Sequence, residues 1–145
     1  MPWVVAAVGL VLFLAAVRGA RRLPSSVLVV AHRGASGRAP ENTLASLALA
    51  AELGAPWAEV DVQRTADGVL VLVHDDTWAR TAGLERAIRD TPWETVRGLD
   101  AGGWFAPRFR GEAPPSLDRV LEFASGRLGL DLEIKSPQDH PGLGL

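Results

Sequence analysis

Apolar positions along the chain fall into blocks of different period. Residues 2–17, from Pro2 to Val17, are apolar, Pro or Gly without interruption, and Arg18, Arg21 and Arg22 follow directly. Ser26 to Ala31 is a short β-branched run without alternation, which predicts a strand buried on both faces. It leads through His32-Arg33-Gly34 and a loop ending at Pro40 to Leu44–Leu53, where leucines at 44, 47 and 53 with alanines between them predict a helix packed on a sheet. Gly54 suits the position just past its end. A second strand is predicted over Trp57–Gln63, and strand, loop, helix, strand is one βαβ unit.

Beyond it, Asp67-Gly68 between two apolar runs is a hairpin signal. As a two-residue loop it sets Ala66 opposite Val69, Gln63 opposite Leu72 and Asp61 opposite His74, which would bring a carboxylate and an imidazole onto one face of the pair. Residues 77–112 carry little period and predict a long, partly ordered loop or lobe with one short helix near Thr91–Arg97. Ser116 to Ala124 has a helix N-cap signature and helical spacing, with Gly126 to stop it. Leu128–Lys135 reads as a third strand, and a Pro- and Gly-rich stretch runs from Ser136 to Leu145. No internal repeat and no second-domain boundary is visible.

Composition changes the picture in two places. The first is charge: three of the fifteen basic residues precede Leu23, whereas all seventeen acids follow it, so the globular part is acidic and nucleic acid is a poor partner. The second is the absence of cysteine, which excludes a disulfide scaffold, a thiolate metal site and a cysteine nucleophile. Any metal must be held by oxygen or imidazole. Fourteen of the basic residues are arginine, and the only lysine is Lys135.

Residues 1–23 are expected to form a transmembrane anchor or signal-like segment. As a helix the apolar run would be ~24 Å long, short of the ~30 Å hydrocarbon core, with Arg18 able to snorkel. A cleaved signal would carry its basic residues ahead of the apolar run, and here they follow it. The expectation is therefore a single-pass membrane protein whose remainder, residues 26–145, lies in the cytoplasm.

Polar groups recur at or near the ends of the predicted strands: His32-Arg33, Glu59 with Asp61, His74, and Glu133 with Lys135. Residues at i and i+2 of a strand share a face, so Glu59 and Asp61 point together, as do Glu133 and Lys135. Taken singly, His32 reads as a satisfied core histidine, Asp75 or Asp76 as a solvated turn acid, and Glu133 with Lys135 as a structural ion pair. Carboxylates inside an apolar strand are harder to dismiss, since buried charge needs a cation or several donors. Glu59, Asp61 and Glu133 suit a hard divalent cation, Mg2+ or Ca2+. Two histidines, an arginine and a lysine around such a cation suit phosphate-ester chemistry, because cations neutralise phosphoryl oxygens while imidazoles move protons.

Read together, Ala31-His32-Arg33-Gly34, Ala39-Pro40-Glu41-Asn42-Thr43, Glu59-Val60-Asp61-Val62, Asp67-Gly68, Val73-His74-Asp75, Arg80-Thr81 and Leu132-Glu133-Ile134-Lys135 resemble the motifs of the glycerophosphodiester phosphodiesterase family, in order and at fitting spacing. The resemblance covers about Val27 to Pro137. It implies an α/β fold, a TIM-type (β/α) barrel of the phospholipase C-like phosphodiesterase kind, and metal-dependent hydrolysis of glycerophosphodiesters to glycerol 3-phosphate and an alcohol. It also implies His32 and His74 as the acid–base pair, Glu59, Asp61 and Glu133 as metal ligands, Arg33 and Lys135 as phosphate contacts, and Glu41 near metal and substrate glycerol. Such a barrel typically takes ~250 residues, so the expectation is its N-terminal portion behind a membrane helix. Two alternatives accompany this reading: an inactive, truncated membrane-bound binding or vestigial protein, and a phosphodiesterase acting on lysophospholipids.

Overall fold

The computed structural model describes residues 27–135. In chain order the elements are β1 (Val30–His32), α1 (Leu44–Glu52), β2 (Trp57–Arg64), β3 (Leu70–Leu72), β4 (Thr77–Trp78), α2 (Ala79–Ala82), β5 (Leu84–Ala87), α3 (Trp93–Val96), α4 (Leu117–Ala124) and β6 (Gly129–Ile134), with 3-10 turns at Ile88–Asp90 and Pro107–Phe109. β2 is the central strand. It pairs in parallel with β1 and with β6, setting Glu59 beside His32 on one edge and Asp61 beside Glu133 on the other. This is the arrangement of successive units of a (β/α) barrel, part of which is present here.

Period decides which face each residue takes. Ala58, Val60 and Val62 of β2 turn outward, where Leu47 of α1 and Val120 and Ala124 of α4 join them with Leu72 and Leu128 in one core cluster. Each fully buried aliphatic side chain of this kind contributes roughly 1.5–3 kcal/mol. The alternate residues Glu59, Asp61 and Gln63 take the inner face. α1 begins at a capping box: Ser46 N donates to Thr43 Oγ1 while Thr43 N donates to Ser46 Oγ. Gly54 follows its C-cap residue, and Ser116 caps α4, both as the sequence predicts.

Three expectations are corrected. Of the predicted strand 26–31, only Val30 and Ala31 enter a ladder, and Val27 to Val30 are between 39% and 59% exposed. β-branched character signals extended backbone, but burial requires a neighbour, and among the described residues nothing covers the outer edge of β1.

The hairpin register is the second correction. Val62 pairs with Leu72, Gln63 with Val71 and Arg64 with Leu70, one residue away from the expected pairing. The loop has three residues, Ala66-Asp67-Gly68, closed by Thr65 N donating to Val69 O and Gly68 N donating to Thr65 O, with Gly68 at φ +92°. A type I turn followed by a left-handed glycine is the three-residue alternative to the two-residue primed turn, and both accept Asp-Gly. Asp61 therefore lies opposite Val73, whose N–H donates to Asp61 O, and not opposite His74. A slip of one residue reverses the face of every side chain, so the expected contact of Asp61 and Glu59 with His74 across the hairpin is lost.

Third, of the loop or lobe expected over residues 77–112 the structure shows a lobe, with more regular elements than the one short helix expected. β4 and β5 pair as a second, two-stranded sheet, and Val71, Val73, Trp78, Ile88 and Val96 make a second buried cluster beneath it. The predicted helix at 91–97 shortens to Trp93–Val96. No helix among the described residues is long and apolar enough to cross a membrane; the segment 1–23 expected to do so lies outside them.

Candidate active site

The parallel ladders bring the acidic residues of two strands together. Ligand-capable oxygens of Glu59, Asp61 and Glu133 all lie within 4.8 Å of one another. Asp61 is 1% exposed, and its Oδ1 together with Glu59 Oε1 is buried without a hydrogen-bond partner. Buried carboxylate oxygens with no donor are costly unless a cation completes them, so the donor set fits a hard divalent ion. Burial is the main cause pushing the Glu59 carboxyl above its ordinary range, and the nearby Asp61 adds to it. Glu133 sits at the exposed rim, where the Lys135 ammonium beside it holds its carboxyl low. Lys135 Nζ donates to Glu133 Oε1 at 2.9 Å and stands 3.6 Å from Asp61 Oδ1.

The turn after β1 supplies the opposite wall. Arg33 and Asn42 both adopt φ +56°, an uncommon conformation that persists only when surroundings impose it. Here Arg33 N donates to Glu59 Oε2 at 3.0 Å, and Asn42 N donates to Arg33 O. The Asn42 side chain brackets Asp61, donating from Nδ2 to Oδ2 at 2.8 Å and accepting at Oδ1 from the Asp61 N–H. Gly34, at φ +78°, lies so close to α1 that a Cβ would meet Ser46 Oγ at 2.3 Å. Arg33 extends over the carboxylates, with Nε 3.2 Å from Asp61 Oδ2 and Nη1 donating to Glu41 Oε1 at 3.0 Å.

The two histidines flank this cluster. His32, 68% exposed, has Nε2 3.9 Å from Glu59 Oε2. His74 lies in the segment after β3, whose carbonyls at Val73, His74 and Asp75 all accept from the buried Gln63 amide. Its Nδ1 is 2.8 Å from Asp75 Oδ1. The Arg80 guanidinium, with His74 second, pulls the Asp75 carboxyl down to about 2, so Asp75 is an ionised acceptor. Against such an acceptor Nδ1 carries the ring proton, and Nε2 is left free for proton transfer. Glu41 is likewise held low, chiefly by Arg80 and then by Arg33.

The model of the glycerophosphoryl diester phosphodiesterase family matches residues 32–141. The chain belongs to that family. It is 46% identical over 110 residues to a glycerophosphodiester phosphodiesterase of Caldanaerobacter subterraneus, the match covering 75% of this chain and 45% of that one. Among solved structures, a phosphodiesterase of Oleispira antarctica in complex with the product sn-glycerol-3-phosphate matches at 44% identity with a TM-score of 0.73, over 75% of this chain and 44% of that chain. The glycerophosphodiester phosphodiesterase of Agrobacterium tumefaciens matches at 45% identity and a TM-score of 0.71, over 72% and 46%. The chain thus spans about half the length of the curated relatives it matches.

Within this part of a (β/α) barrel, the residues singled out from the sequence lie at one rim. Glu59, Asp61 and Glu133 converge, Arg33 and Lys135 touch Asp61, Glu41 touches Arg33, and the histidines stand in electrostatic reach of Glu59 and Glu133. Sequence reasoning missed Asn42, Gln63, Asp75 and Arg80. Asn42 had a signal, since asparagine tolerates the left-handed region better than most residues and adjoins Glu41. Asp75 and Arg80 stood inside quoted motifs, but nothing in their spacing pairs them with each other.

Proposed function

We propose that this protein is a metal-dependent hydrolase of glycerophosphodiesters, releasing glycerol 3-phosphate and an alcohol. The observation that carries the proposal is the convergence of Glu59, Asp61 and Glu133, two of them with unpartnered buried oxygens, directly against the cationic side chains of Arg33 and Lys135. Glu59, Asp61 and Glu133 would hold the cation, Mg2+ or Ca2+. Once bound it would supply Lewis-acid stabilisation of charge on the phosphoryl group. Arg33 and Lys135 would bind the remaining phosphoryl oxygens, Arg33 with a fork suited to two of them. One imidazole accepts the proton of the attacking hydroxyl as its oxygen forms the new P–O bond: water gives glycerol 3-phosphate directly, whereas the substrate glycerol's own hydroxyl gives a cyclic phosphodiester that water must then open. The other protonates the alkoxide as the bond from phosphorus to the alcohol breaks. Such proton transfers are each worth about 10²–10⁴-fold in rate.

The test is hydrolysis of glycerophosphocholine by the full chain, with and without a chelator, followed by return of Mg2+ or Ca2+. Turnover that stops with the chelator and returns with the ion supports the reading, and an unchanged rate in chelator removes the cation. Cation binding by calorimetry without turnover would favour the inactive binding protein instead. The apolar run at residues 2–17 motivates a parallel arm with a lysophospholipid, whose preferential turnover would move the substrate class to membrane lipids. The same run motivates our placement of the site at the cytoplasmic face of a membrane, which protease protection of vesicle-bound protein tests: digestion of residues beyond Arg22 only in opened vesicles would place the site on the other side.

A further inference from the structure

One side chain joins the two halves of the site without touching the carboxylate cluster. Arg80 lies in α2, directly after the buried Trp78, and uses both edges of its guanidinium. Nε donates to Asp75 Oδ2 at 2.6 Å and Nη2 to Asp75 Oδ1 at 3.0 Å; Nη1 donates to Glu41 Oε2 at 2.9 Å and Nη2 to Glu41 Oε1 at 2.8 Å. The Trp104 ring lies with its centroid 5.7 Å from the guanidinium carbon. Beyond the two carboxylates the contacts continue in both directions. Asp75 Oδ1 meets His74 Nδ1, and Glu41 Oε1, already accepting from Arg80, also accepts from Arg33 Nη1.

We propose that Arg80 is a positioning residue for the reaction, holding Asp75 against His74 and Glu41 against Arg33 so that the imidazole and the phosphate-binding guanidinium keep one geometry relative to each other. A partly exposed arginine making a single ion pair would contribute almost nothing. Arg80 instead forks onto two carboxylates from separate segments, 39 residues apart from Glu41 in the chain, and each carboxylate is spent on a group that acts on the substrate. Lysine, with a point charge, cannot make the four bonds. The inference rests on the reading of His74 as a proton-transfer group and of Arg33 as a phosphate contact.

The experiment is 15N spectroscopy of the histidine rings in the full chain at alkaline pH, without substrate or cation. The native chain should show His74 as the Nδ1–H tautomer. In Arg80→Gln the signals should move to a mixture of tautomers, and Arg80→Lys should fall between. Activity should follow: kcat for Arg80→Gln falls about 10- to 100-fold, as for loss of other orienting partners, and KM rises because Arg33 is released. Adding Asp75→Asn to Arg80→Gln should cost kcat little more than Asp75→Asn alone. Arg97→Gln, removing an exposed i,i+3 pair, should leave the ring spectrum and the rate unchanged. The proposal is overturned if Arg80→Gln keeps the native tautomer with a native backbone spectrum, or if its effect adds fully to that of Asp75→Asn. Should Arg80→Gln not fold, a native ring spectrum in Arg80→Lys overturns it equally. The tautomer shift needs no turnover, so a shift without hydrolysis in the native chain counts against the proposed reaction and not against this role of Arg80.

Discussion

The strand rim and the lobe build the same site by different physics. On the rim, strand period and parallel register place the acids: Glu59 and Asp61 stand two residues apart on β2, and Glu133 on β6 is the register partner of Asp61. In the lobe and the bend leading into it, Arg80 stands on the four-residue α2 and Asp75 between β3 and β4, and the flanking Val73 and Trp78 belong to the buried cluster of Val71, Val73, Trp78, Ile88 and Val96. The regular part of the fold supplies charge at one point, while the irregular part aims it. The two are tied by Gln63, which reaches from the inner face of β2 to the backbone at His74, and by Glu112, whose carboxylate accepts from Ala45 N in the first turn of α1.

Several perturbations test whether the two regions contribute separately. His32→Ala and His74→Ala should each lower the hydrolytic rate by about 10²–10⁴-fold with stability nearly unchanged, since neither ring is core; loss of stability alone in either would remove it from the chemistry. Trp78→Ala should cost about 3–5 kcal/mol by chemical denaturation. Because α2 follows it directly, residual folded protein should also show the altered His74 tautomer, and a native ring spectrum there would mean that the lobe is only a cover. Gly34→Ala should cost about 1–3 kcal/mol, both from its positive φ and from the clash with Ser46, and should weaken cation binding through Arg33 and Glu59; calorimetric titration with Ca2+ gives the second reading, and unchanged affinity would separate the turn from the site.

The smallest effect is electrostatic. Asp75 is held down to about 2 by Arg80 and then His74, from an ordinary value of 3.8. A lowered carboxyl stabilises the fold above its unfolded pKa, and that contribution disappears as pH falls from near 3.8 through about 2. After allowance for solvent screening it is worth about 1 kcal/mol. The stability gap between the native chain and Asp75→Asn, from urea midpoints, should therefore close across that window, and a constant gap would assign the effect to packing. Glu59 carries the opposite sign: its raised pKa disfavours the ion-free fold as pH rises. Added cation should consequently raise Tm more at neutral than at acid pH, where protons compete for the same oxygens.

Much of this was readable beforehand because it is local. The helix starts at Thr43 and Ser116, the stops at Gly54 and Gly126, and the shared faces of Glu59 with Asp61 and of Glu133 with Lys135 all follow from spacing and cap chemistry. The hairpin shows where that legibility stops. Asp-Gly specifies a reversal but suits both a two- and a three-residue loop, and the difference of one residue decided whether His74 met Asp61 or turned to Asp75.

By itself, then, the sequence determined the βαβ unit, the donor types and the strand faces on which they lie, because a residue's face depends only on its neighbours along the chain. The tertiary structure alone decided which strands adjoin β2, that the excursion 77–112 is an ordered lobe, and that Arg80 reaches both Asp75 and Glu41. Those contacts join residues tens of positions apart, and their geometry is set by how buried clusters pack, which no local pattern records.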